Sequence, residues 1–146
     1  MRVQKTSRNR SRATAALPSQ TGRAPATAFS SVLTDYRLAE HQAVLDKLFV
    51  KLEAMMEVIS TTTSLLEWEK FRSLVLAYLE EVKNGYRLRK QIAWDPRGNQ
   101  KLLVLVEAAN QELVELGLAF LERADDNLRF LARLKRLKGL LLDMRS

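Results

Sequence analysis

The chain has 146 residues, 47% of them hydrophobic and 28% charged, enough for one domain with the composition of a folded helical protein. It holds no cysteine, which removes disulfides, thiolate metal sites and cysteine nucleophiles, and no apolar run nears the ~18 residues of a membrane span. The net charge of +7 suggests a nucleic-acid partner until it is divided by position: residues 1–28 carry six basic residues and no acid, while the rest carries 18 Lys or Arg against 17 Asp or Glu.

Residues 1–28 have few large apolar groups and contain Pro18, Gly22 and Pro25. Such a segment buries too little surface to offset the entropy of ordering it, so a disordered basic tail is expected. It has no apolar h-region, which argues against a secretory signal peptide, although an acid-free start rich in Arg and Ser shares features with an organelle transit peptide. A first helix is expected over about 35–60, with Leu38, Leu45, Leu48, Leu52, Met55 or Met56, and Ile59 recurring at three- and four-residue steps. The run of Ser and Thr at 60–64 breaks that period, because short hydroxyl side chains compete for backbone hydrogen bonds and favour caps. Ser64 and Glu67 have the spacing of a capping box.

A second helix follows over about 65–91, with Phe71, Leu74, Val75, Tyr78, Leu79 and Val82 on its inner face. Asn84-Gly85 falls inside it. Gly costs about 1 kcal/mol against Ala at such a position, which a close helix contact would explain; alternatively, the helix ends at Asn84 and a short segment holds residues 86–92. Asp95, Pro96 and Gly98 then fit a type I turn, with Asn99 placed to cap a third helix over about 100–121. Its stripe is Leu102, Leu105, Val106, Ala109, Leu113, Leu116 and Phe120. Asp125, Asp126 and Asn127 offer a cap for a fourth helix over about 126–143, bearing Leu128, Leu131, Leu134, Leu137 and Leu141; one long bent helix is the alternative for these last two. The expected fold is an all-α four-helix bundle over residues 29–146 behind the tail.

Sites of chemistry are hard to build from these residues. His41 is the single histidine, so neither a dimetal bundle site nor a zinc-peptidase pair can be assembled, and it reads as an exposed or half-buried helix residue. Glu80-Glu81 and Asp125-Asp126 are adjacent in sequence and so make poor acid/base pairs. No catalytic residue, cofactor or metal is expected. What stands out is a basic cluster with interleaved aromatics: Lys83, Arg87, Arg89, Lys90, Trp94, Arg97 and Lys101, with Tyr86 among them. Such a surface suits an acidic peptide or single-stranded nucleic acid, while the bland reading is cations at a helix C-terminus, where the dipole favours them.

From Phe29-Ser-Ser-Val-Leu33, and more firmly through Phe71-Arg72-x-Leu74, Glu80-Glu81-Val82, Trp94-Asp95-Pro96-Arg97-Gly98 with Lys101-Leu102, and Lys138-Gly139-Leu140-Leu141, the chain resembles the bacterial YaaR family of uncharacterised proteins. The similarity covers about three quarters of the chain by these motifs. The resemblance implies a small all-helical bundle in the bacterial cytoplasm, which weighs against a transit peptide, and it implies no catalytic residue. The leading expectation is therefore a non-catalytic bundle that binds another protein. The alternative is a nucleic-acid-associated protein using the tail and the basic cluster. No membrane partner is expected, and a homo-oligomer stays open.

Overall fold

The computed structural model of the protein describes residues 23–92 and 96–145. Four helices follow in order: α1 (Arg23–Thr61), α2 (Leu65–Ile92), α3 (Pro96–Leu121) and α4 (Asn127–Asp143). The chain divides into two compact units, Met1–Arg37 and Leu38–Ser146. The first contains the start of α1; the second is the four-helix bundle.

Two helices begin earlier than their periodicity predicts, and proline explains both. α1 starts at Arg23 rather than near 35, so Pro25 lies in its first turn, where its missing N–H has no intrahelical partner to lose. The alanines at 24, 26 and 28 favour the helix further. The expected disordered tail therefore becomes helix from Arg23 onward, and its residues 1–22 lie outside the described residues. α3 starts at Pro96 rather than near 100, with proline at its first position. A type I turn has nearly helical angles at its two central residues, so the same Pro signal serves equally for the first turn of a helix. Asp95 and Trp94 lie outside the described residues.

The other boundaries follow from caps. At the start of α2 the Ser64 hydroxyl accepts from the Glu67 N–H at 3.4 Å. The returning half of the capping box is replaced, because the Ser64 N–H donates to Thr62 Oγ1 at 3.1 Å. α3 and α4 are separate helices: a turn over 122–125 precedes Asp126, whose carboxylate accepts from the Arg129 N–H at 3.0 Å and caps α4. Asn84 and Gly85 lie within α2, which continues unbroken to Ile92.

The core of the bundle is built from one face of each helix: Leu45, Phe49, Leu52, Met56 and Ile59 of α1 meet Trp68, Phe71, Val75, Tyr78, Leu79 and Val82 of α2. Val106, Ala109, Leu113, Leu116, Ala119 and Phe120 of α3, with Phe130, Leu134, Leu137 and Leu141 of α4 and Met144 just after it, complete it. Leu128 does not join them. It is 80% exposed in the first turn of α4, and Phe130 takes the buried position instead, continuing to Leu134, Leu137 and Leu141 at four-, three- and four-residue steps. The aromatics form a chain at one end, Trp68 stacking on Phe120 at 5.3 Å between centroids and Phe120 meeting Phe130 edge-on at 5.6 Å. Across the bundle the Tyr78 hydroxyl donates to the Leu141 carbonyl at 2.9 Å. Burial pushes that hydroxyl's pKa well above its ordinary range, so it stays a neutral donor.

Candidate interaction surface

Three buried polar groups tie the helices together. His41 is buried, not exposed or half-buried as its neighbours in sequence suggest: its Nδ1 shares a hydrogen bond of 2.7 Å with Glu81 Oε2, and its ring lies over Gly85. A methyl group at 85 would run into that ring, which is the close helix contact that accounts for glycine inside α2. Glu112 of α3 is buried with Arg133 at 3.0 Å and Arg136 at 3.4 Å, both on α4. An ion pair of this kind is costly to break on one side, because it leaves a buried charge behind.

Arg123 is the group that sequence reasoning missed. It sits in the turn after α3, yet its guanidinium donates to the carbonyls of Ile59 at 2.6 Å, Ser60 at 2.7 Å and Thr62, all at the end of α1. A further bond of 3.1 Å reaches Asn127 Oδ1. The cation lies 4.5 Å from the Phe130 ring centroid. Burial alone pulls its pKa below the ordinary value. The last turn of α1 has no basic residue of its own, so a distant arginine supplies the positive charge that the helix C-terminus favours. That absence was the one available signal, and it does not say where the cation comes from.

The predicted basic cluster straddles the end of α2 and the start of α3. Arg87, Arg89, Lys90, Arg97 and Lys101 are exposed and Lys83 is half-buried; Trp94 lies outside the described residues. Its charge is partly spoken for. Arg87 donates to Asn84 Oδ1 at 2.6 Å and lies 3.9 Å from the Glu80 carboxylate, while the Lys90 ammonium sits 6.0 Å from the Tyr86 ring centroid.

Apolar groups also reach the surface elsewhere, among them Leu66, Val104, Val114 and Leu121, each at least 60% exposed. In the first unit, Phe29, Val32, Leu33 and Tyr36 of α1 recur at three-, one- and three-residue steps, forming one helical face, and three of the four are more than 60% exposed. In the bundle, a groove of about 440 Å³ runs between α1 and α4. Met56, Leu131 and Leu134 floor it, Glu53 and Glu57 stand on the α1 side, and Lys135 and Lys138 on the α4 side. Glu53 and Lys138 meet across it at 3.6 Å. Both are about half exposed, so that bridge is weak.

Among the described residues no helix is long and apolar enough to cross a membrane. No curated protein matches the chain. Its fold is shared by the crystal structure of an uncharacterized protein, BH1478, from Bacillus halodurans, at 24% identity and a TM-score of 0.67, covering 80% of this chain and 97% of that one. A family model described as a protein of unknown function, DUF327, matches residues 2–145, so the match takes in the basic tail as well as the motifs from Phe29 onward. The chain therefore belongs to the DUF327 family of proteins of unknown function, the YaaR family that its motifs resemble.

Proposed function

We propose that this protein is a non-catalytic helical bundle of the bacterial cytoplasm that works by binding another protein. The observation that carries this reading is the exposed apolar face of α1, with Phe29, Val32 and Tyr36 at 70%, 66% and 62% exposure. Two aromatics and two aliphatics on one helical face lose hydration when a partner covers them, at roughly 25 cal/mol for each Å² buried. The bundle needs none of them for its core, which Leu45 to Ile59 already fill on the α1 side. His41 packs between Glu81 and Gly85, which supports a structural role for the single histidine.

A second reading, binding of nucleic acid, is favoured by the exposure of Arg89, Lys90, Arg97 and Lys101 on adjoining helix ends. One experiment separates the two. A photoreactive residue is placed at Val32 and, in a second variant, at Arg89, and the adducts formed in the source cells are treated with nuclease. Protein binding expects a discrete nuclease-resistant adduct at 32 that disappears when Phe29 and Tyr36 are both changed to Ser. A nuclease-sensitive adduct at 89, with none at 32, would replace the protein reading by the nucleic-acid one.

A further inference from the structure

The exposed face of α1 and the groove between α1 and α4 are complementary in charge. On a helix of 3.6 residues per turn, Asp35 falls about 110° to one side of the Phe29, Val32, Leu33, Tyr36 face and Arg37 about 90° to the other. Both are exposed, and neither makes an ion pair among the described residues. The groove has the matching pattern: an apolar floor of Met56, Leu131 and Leu134, an acidic wall with Glu57 and a basic wall with Lys135. Glu57 and Lys135 likewise have no ion-pair partner among the described residues. A helix laid into this groove with its apolar face down can take only one of two directions if Asp35 is to meet Lys135 and Arg37 is to meet Glu57. Phe29, Val32, Leu33 and Tyr36 are exposed, and Leu131 is the part of the groove floor that is only half-buried.

We infer that the protein partner is a second copy of this chain, with residues 29–36 of one copy seated in the α1–α4 groove of the other. This rests on the protein-binding reading and names its partner. Recognition is of the helix-in-groove kind, in which residues at i, i+3, i+4 and i+7 anchor an amphipathic helix. One such contact is small, since its two aromatic rings supply only about 150–250 Å² each. A stable interface needs about 1,200–2,000 Å² in total, so the exchange is reciprocal: each copy gives its helix face and receives the other's. Reciprocity also closes the assembly as a two-fold dimer, where a one-way contact would build a ring or a filament. The Glu53–Lys138 bridge closes one end of the groove and is weak enough to open.

The test is sedimentation equilibrium of the full chain, with circular dichroism of each variant to confirm an unchanged helical fold. Wild type is expected to be a monomer–dimer system, and Val32→Asp a monomer. Lys135→Glu sets like charges against Asp35 twice per dimer and is expected to raise Kd at least about tenfold. Adding Asp35→Lys to Lys135→Glu restores opposite charges and is expected to recover most of that loss. Mixing Val32→Asp with Lys135→Glu leaves one intact face and one intact groove, so the mixture is expected to associate more than Val32→Asp alone. A wild type that stays monomeric at every concentration overturns the assignment, as does dimerisation that is lost in Val32→Asp but unchanged in Lys135→Glu, which would mean face-on-face pairing. A monomeric wild type together with a nuclease-resistant adduct at residue 32 would sink the second copy while leaving the protein-binding reading standing; no adduct as well would remove both.

Discussion

Two stretches of α1 share one periodicity and have opposite surroundings. Over 45–59 the apolar face is Leu45, Phe49, Leu52, Met56 and Ile59, every one of them buried. Over 29–36 the same three- and four-residue spacing gives Phe29, Val32, Leu33 and Tyr36, all of them exposed. A hydrophobic period specifies which face of a helix will be dry; what covers that face comes from residues elsewhere in the chain or in another molecule. The two stretches should therefore respond very differently to the same kind of substitution.

The largest effect is expected at Leu52, which has no exposure at all. Truncating it to alanine leaves a cavity among close-packed neighbours and should cost about 2–5 kcal/mol, read as a fall in the denaturant midpoint. A loss under about 1 kcal/mol would mean that α1 packs loosely on the bundle, and the contrast with residues 29–36 would dissolve.

Arg123→Met should come next, at about 1–3 kcal/mol, because it keeps the stem over Phe130 but leaves the buried end of α1 without its donor. Amide exchange gives a sharper readout than the midpoint: the last turn of α1 should lose protection ahead of the rest of the bundle. Uniform loss across all four helices would instead make Arg123 a general core residue.

The glycines divide in the same manner as the two stretches of α1. Gly85→Ala gains helix propensity but drives a methyl into the His41 ring, and should destabilise by about 1–3 kcal/mol. Gly139 sits inside α4 with open space where a Cβ would go, so Gly139→Ala should stabilise by roughly 0.5–1 kcal/mol. Opposite signs for the same substitution on two helices, measured by thermal or urea unfolding, would confirm that packing and not propensity holds glycine at 85.

Much of this architecture was legible in the sequence because it is periodic and local. Most of the four apolar stripes, though not Leu128, Phe49 or Trp68, the Ser64 and Asp126 caps and the need for a close contact at Gly85 come from spacing within about a dozen residues. The family resemblance was legible from the motifs at 71–102, and the family match extends it to residue 2. What could not be read depends on distant partners. Burial of His41 is decided by Glu81 and Gly85, 40 and more residues away. Arg123 caps a helix that ended some 60 residues earlier. The first turns of α1 and α3 read in sequence as tail and turn because Pro25 and Pro96 punctuate a chain identically before a helix and in its first turn. Within the basic cluster the partners of Arg87, Asn84 and Glu80, are local on α2, but spacing alone does not fix which side chains pair.

The smallest effect on stability is expected where the exposed chemistry is most conspicuous. Phe29→Ala and Tyr36→Ala remove two aromatic side chains, a change that in a core costs about 3–5 kcal/mol. At 70% and 62% exposure these rings have little packing to lose, so each change should fall within about 0.5 kcal/mol of wild type when urea midpoints are measured in dilute solution. Raising the protein concentration should open a gap. A dimer stabilises the folded state by mass action, so the wild-type midpoint should climb with concentration while that of the double variant stays flat. If both midpoints are flat, residues 29–36 are not covered by a second copy. If the double variant is already destabilised at high dilution, these rings belong to the fold of a single chain, and the contrast between the two stretches of α1 is one of degree.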